Sequence, residues 1–121
     1  MESFVWKGPR PARGEIWRVD FSPSVGREIR NPHPSLVLSV NQINESPWGV
    51  LVVIPISERQ ETWPRIHVPI DPPEGNMRKP SRIKCDQIGK VDLHRFERKL
   101  GHVEPVTLRQ VEQTVRRILG L

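Results

Sequence analysis

The chain holds a single cysteine, Cys85, among its 121 residues. An internal disulfide is therefore excluded, a cysteine-based metal centre is set aside, and a reducing cytoplasmic setting is the default expectation. Long hydrophobic runs are missing too. The longest, residues 50–56, is broken by Pro55 and falls far short of the ~20 residues that span a bilayer, so no membrane association is expected. Residues 1–10 carry Glu2, Lys7 and Pro9 with no apolar stretch of the length a secretory signal needs. Negative charge is in deficit, 14 Asp and Glu against 19 Lys and Arg, for a net charge of +5. That balance suits a polyanionic partner, whether RNA, DNA or an acidic protein segment. No grouping of Asp, Glu and His has metal-ligand spacing, so neither a metal nor another cofactor is expected.

What the chain has in excess is proline, 13 residues. The groups Pro9-Arg10-Pro11, Pro32-His33-Pro34 and Pro72-Pro73 read as turns and loops, which excludes a helical bundle and favours short strands joined by structured loops. The length fits one domain over residues 1–121, with residues 1–12 as a flexible arm. Residues 15–21 alternate, with Trp17, Val19 and Phe21 inward, and predict a first strand. Residues 22–34 read as a long polar loop, and residues 36–38 and 50–54 as central strands buried on both faces. Residues 41–49 form a further loop. Residues 65–70 alternate again with Ile66, Val68 and Ile70 inward, and Pro69 marks an edge strand because it cannot donate to a ladder. After a Pro/Gly loop at residues 71–79, residues 81–88 predict another strand. Helical spacing arrives late. Residues 92–100 suggest a short helix stopped at Gly101, and Thr107-x-x-Gln110 matches a capping box opening a terminal helix. Its apolar stripe is Leu108, Val111, Val115, Ile118 and Leu119.

Lys84-Cys85-Asp86-Gln87 carries the most chemical information. On a strand, Arg82, Lys84 and Asp86 share one face while Ile83 and Cys85 share the other. A core-facing side thus opposes a side holding charge of both signs. Such a face can offer a phosphate clamp and an acid/base group; equally it can be a solvated surface with a cross-strand ion pair. Asp86 beside Lys84 and Arg82 is better suited to orienting a group than to taking a proton. His33 titrates near ~6.5 when unperturbed and serves as acid or base at neutral pH, and the flanking prolines restrain its backbone. Arg27 and Arg30 can fork onto a phosphate, or pair with Glu28 between them. Ser57 can hydrogen-bond a phosphate oxygen or simply form a turn. Trp48 and Trp63 offer surfaces for unstacked bases, or packing at a dimer interface, while Trp17 and Cys85 read as core. His67, on the polar side of an edge strand, His94 and His102 are assigned no role.

Residues 13–28, read as Arg13-Gly14-Glu15-Ile16-Trp17-x-Val19-Asp20-Phe21-x-Pro23-x-x-Gly26-x-Glu28, resemble the opening of the MazF/PemK toxin family. Pro34-Ser35-Leu36-Val37-Leu38-Ser39, Val53-Ile54-Pro55-Ile56-Ser57 and Lys84-Cys85-Asp86-Gln87-Ile88 continue the resemblance in order to about residue 119. It implies a mainly β fold, an SH3-like barrel of five to seven strands with a C-terminal helix, that forms a homodimer. It also implies a metal-independent endoribonuclease cutting single-stranded RNA, neutralised by an antitoxin with an acidic disordered tail. Carried over by position, Glu28 matches the family's Gly-x-Glu glutamate and Ser57 stands where most members have a catalytic threonine. Lys84 and Asp86 match the arginine and acid of an Arg-Cys-Asp-Gln motif. Arg27 sits where one branch has an active-site histidine, and His33 where many members have the arginine of an Arg-Pro pair. The implied catalytic set is Arg27, Glu28, His33, Ser57, Lys84 and Asp86, and the implied RNA-binding set is Arg30, Trp48, Trp63, Arg82 and Gln87. Such groups would convert a 2′-OH and a phosphodiester to a 2′,3′-cyclic phosphate and a 5′-OH. The alternatives are a non-catalytic SH3-like RNA-binding module and a DNA-binding or ribosome-associated barrel.

Overall fold

The computed structural model describes residues 4–21, 32–59, 61 and 63–121. Seven strands and a C-terminal helix make up the fold: β1 (Glu15–Asp20), β2 (Pro32–Val37), β3 (Val50–Glu58), β4 (His67–Ile70), β5 (Ser81–Lys84), β6 (Gly89–Asp92), β7 (Phe96–His102) and α2 (Pro105–Leu119). A four-residue helix, α1 (Asn41–Asn44), lies within the expected loop before β3. Every pairing is antiparallel, and the ladder runs β4-β5-β3-β2-β1-β7 with β6 also on β3. The outer strands β4 and β7 do not pair, so among the described residues the sheet is open rather than the expected closed barrel. Both edges are covered instead, a standard protection against edge pairing. Helix α2 packs on β4, and the 3-10 turn Glu74–Asn76 packs on β7, where Asn76 Nδ2 donates to the Leu100 carbonyl at 2.6 Å.

Two apolar clusters lie on opposite faces of the shared strands. Ile16, Leu36, Ile54, Ile56, Val68, Ile70 and Ile83 join Val111 and Val115 of α2 in the larger one. Trp17, Val19, Val37, Leu51, Val53, Val91, Leu93 and Phe96 form the other. β1 and β3 feed both, as the unbroken apolar run of β3 requires. Trp6 stacks on the second cluster, its ring centroid 5.7 Å from that of Trp17. Beside it, Glu15 accepts from the Ala12 N–H at 2.8 Å and the Trp17 indole at 2.9 Å, and pairs with Lys99 Nζ at 2.8 Å. Burial pushes the Glu15 carboxyl up, but these donors together outweigh it and hold it below its usual range. No described helix is long and apolar enough to cross a membrane.

Several expectations are corrected. Residues 92–100 are not a helix: they contribute the 3-10 turn Leu93–Arg95 and most of β7. The β1–β7 ladder shifts register twice, between Ile16 and Trp17 and between Arg18 and Val19. These bulges let Phe96 enter the second cluster while Leu100 packs on the first, and that change of face imitates helical spacing. Pro32-His33-Pro34 is not a loop but the start of β2. In α2, Glu104 is the N-cap without a side-chain bond and Pro105 occupies the first turn, where its missing N–H costs nothing. Thr107 is buried inside the helix rather than capping it, and Leu119 is 52% exposed, off the buried stripe.

Gly101 has a packing reason of its own. A Cβ there would lie 2.8 Å from the backbone of Gly75, whose positive φ of 63° and contact with Ile16 already require glycine. Gly101→Ala is therefore expected to cost about 1–3 kcal/mol of stability through overpacking, read as a lower denaturant midpoint at unchanged slope.

Candidate active site

β2 and β3 pair only from Ser35, opposite Pro55, to Val37, opposite Val53. Continuing that register outward would set His33 against Ser57, but no pairs form there. Pro32 and Pro34 stand at the β2 positions whose N–H would face β3, as that of Leu38 does, and have none to give, and the two strands part. A cleft of about 900 Å³ opens at this place, lined by His33, Ser57 and Glu58. Its apolar side is Ile56, Met77 and Leu100, all packed on the larger cluster. Arg18, Arg78, Lys79 and Arg98 also line it. Four cations against one carboxylate give the cleft a positive field suited to a phosphate, and Lys79 takes up part of Glu58, 3.5 Å away.

The expected site residues thus divide. His33 and Ser57 share the cleft. Arg27, Glu28 and Arg30 lie outside the described residues. Arg82 stands opposite Ser57 in the β3–β5 register, donates Nη1 to the Glu61 carbonyl at 2.5 Å, and keeps a buried Nε without a partner among the described residues. Lys84 ends β5, while Asp86 and Gln87 belong to the 3-10 turn Cys85–Gln87. The expected charged row on one strand is therefore broken. Ile83 opposes Ile56 and Gly89 opposes Val53, so the chain carries more residues than β3 can match, and the surplus is looped out as that turn. Neither Lys84 nor Asp86 lines the His33 cleft. Cys85 is fully buried and burial, with Asp86 beside it, pushes its thiol up to about 12, so it stays protonated. Trp48 and Trp63 are 71% and 57% exposed.

Two groups escaped the sequence reading. Arg98 lies in the stretch expected to be helical, and Arg18 sits between the inward Trp17 and Val19 with no motif to single it out. His67 was set aside as a surface residue, yet it is 6% exposed. β4 lies beneath α2 and the Cys85–Gln87 turn, so its edge is roofed. There His67 Nε2 sits 3.5 Å from Asp86 Oδ1, and Nδ1 has no hydrogen-bond partner among the described residues. Burial lowers its pKa, Asp86 opposes that shift, and Arg82 and Lys84 add to it. Among the described residues, no three His, Cys, Asp or Glu gather as a metal-binding group.

The neutral form of His67 is favoured by the fold, so the unfolded chain takes up the proton first as pH falls. Stability from this group is complete above the unperturbed value of about 6.5 and is lost as pH drops through the lower folded value. Melting temperature is expected to fall on acidification below about 6.5, and less steeply in His67→Leu, with paired thermal scans across pH as the measurement.

Comparison with known proteins agrees with this architecture. The family described as PemK-like, MazF-like toxin of type II toxin-antitoxin system matches residues 12–119. Endoribonuclease MazF9 of Mycobacterium tuberculosis is 26% identical over 113 residues, covering 90% of this chain and 96% of that one. Endoribonuclease EndoA of Bacillus subtilis is 28% identical over 110 residues, covering 90% and 94%. The fold also matches crystalline MazF of Deinococcus radiodurans, with a TM-score of 0.82 at 22% identity and 94% and 100% coverage. A mycobacterial endoribonuclease in complex with its cognate antitoxin gives 0.74 at 22% identity, with 92% and 96% coverage.

Proposed function

The chain belongs to the PemK-like, MazF-like family of toxins of type II toxin–antitoxin systems, and we propose on that premise that it is an endoribonuclease cutting single-stranded RNA in the β2–β3 cleft without a metal. The observation that carries the reading is the meeting of His33 and Ser57 in one basic cleft. In the reaction, His33 moves a proton, as base on the 2′-OH or as acid on the departing 5′-oxygen. Ser57 hydrogen-bonds the phosphoryl group, and Arg78 and Lys79 of the lining stabilise the charge that builds on it. The products are a 2′,3′-cyclic phosphate and a 5′-OH. Arg27 and Glu28 enter from family position, as do Lys84 and Asp86, whose place beside His67 gives them a positioning or binding part rather than direct proton transfer in the His33 cleft.

The working form is a homodimer related by a two-fold axis, acting in the cytoplasm. Exposed Trp48 and Trp63 provide stacking surfaces for bases or cover at the dimer contact. The antitoxin's acidic tail competes with RNA for the same cationic cleft, by the charge logic that draws RNA to it. Support for such a partner comes from the related mycobacterial endoribonuclease solved with its cognate antitoxin.

The test is cleavage of a long unstructured RNA in EDTA. Cyclic-phosphate and 5′-OH ends are expected. His33→Gln should lower the rate by ~10²–10⁴-fold with little change in RNA affinity, and should erase one limb of the rate–pH profile. Tight RNA binding without new ends would replace this reading with a non-catalytic RNA-binding module; neither binding nor cleavage would overturn both.

A further inference from the structure

Two of the cleft's cations are left over by the chemistry assigned to His33 and Ser57. Arg18 of β1 and Arg98 of β7 stand directly opposite one another, and both line the cleft. Like charges at opposed positions of an antiparallel pair repel. The register shift between Arg18 and Val19 borders the pair and holds it in place. Glu97 answers only part of this repulsion: its Oε1 lies 3.1 Å from Arg18 Nε, with both side chains about two-fifths exposed. That contact uses the Nε end of the guanidinium, and Arg98 makes no ion pair among the described residues. A sheet that opposes two guanidiniums at the mouth of a basic cleft gains most when one anion is shared between them, since each guanidinium presents a planar fork matched to phosphate oxygens.

We propose that Arg18 and Arg98 form a subsite for an RNA backbone phosphate next to the one that is cut. This rests on the endoribonuclease reading. The site's place follows from the strand order β2-β1-β7. Arg18 stands opposite Pro34, the neighbour of His33 on β2, and Arg98 stands one strand further on, roughly 5–10 Å across the sheet. A phosphate held there is displaced from the reacting one and fixes the path of the strand through the cleft. Placement on paired strands rather than on a loop makes the subsite rigid before RNA arrives, which limits the ordering cost of binding. Arg18 and Arg98 therefore act in binding and positioning, not in proton transfer.

The experiment uses the full chain and its Arg18→Gln, Arg98→Gln and Arg98→Lys variants. RNA affinity is measured against salt, and cleavage is measured on oligonucleotides spanning a mapped cut site. In these, each neighbouring linkage is replaced in turn by a neutral methylphosphonate. Each Gln variant should flatten the log–log salt slope by about 0.7, the share of one phosphate contact on a single strand. KM should rise about tenfold with kcat nearly unchanged, and Arg98→Lys should keep the salt slope. One methylphosphonate position should raise KM for the wild type and erase its advantage over Arg98→Gln. Arg98→Gln should melt no lower than the wild type, because it relieves a repulsion. Unchanged slope and KM in both Gln variants, with a wild type that binds RNA, would overturn the subsite and leave the nuclease reading intact. A wild type that binds without cutting, yet loses slope in the variants, would overturn the nuclease reading and keep the subsite. A wild type that neither binds nor cuts overturns both.

Discussion

Everything in the candidate site depends on the early parting of β2 and β3. An antiparallel pair zips until it runs out of donors, and here Pro34 and Pro32 remove them from β2 just beyond the Ser35–Pro55 pair. Had the ladder continued, His33 and Ser57 would be neighbouring sheet positions with their backbones engaged and no space between the strands. The missing hydrogen bonds are exchanged for a cleft whose floor is the larger core and whose rim is polar. A few absent N–H groups thus convert a packed sheet into an open cleft, and the cost is contained because the same strands pair fully over Leu36 and Val37.

The opposite wall is built by different means. β7 bulges twice against β1, which sends Phe96 to one core and Leu100 to the other, and brings Arg98 to the cleft. Against it lies the segment around Glu74–Asn76, able to approach only because Gly75 and Gly101 meet without side chains. That approach sets Met77, Arg78 and Lys79 in the lining. The glycine contact is therefore a spacing device for the cleft as well as a packing detail.

Much of this was legible in the residues. The first strand, the apolar run of β3, the edge character of β4 announced by Pro69, the terminal helix and the buried thiol of Cys85 all follow from local pattern. The misses share one physical origin, pairing between distant segments. A bulge changes which face a residue takes, and the periodicity of residues 92–100 then imitates a helix. Proline in a strand is read as a loop until its neighbours show that the unpaired edge borders a gap. His67 looks like surface on an isolated edge strand, because nothing in residues 67–70 reveals that α2 and the Cys85–Gln87 turn lie over it. For the site, Ser57 and His33 were found through motif position, while Arg18 and Arg98 needed the register between strands far apart in the chain.

The β1–β7 pairing also has a meaning in time. β1 leaves a ribosome well before β7, yet the cleft draws Arg18 from one and Arg98 and Leu100 from the other. Joining them closes a loop that takes in most of the chain, a slow and late event in folding. Until β7 docks, Gly75 has no Gly101 to rest on and the cleft lacks a wall. A nascent chain whose β7 has not yet emerged accordingly carries no finished cleft.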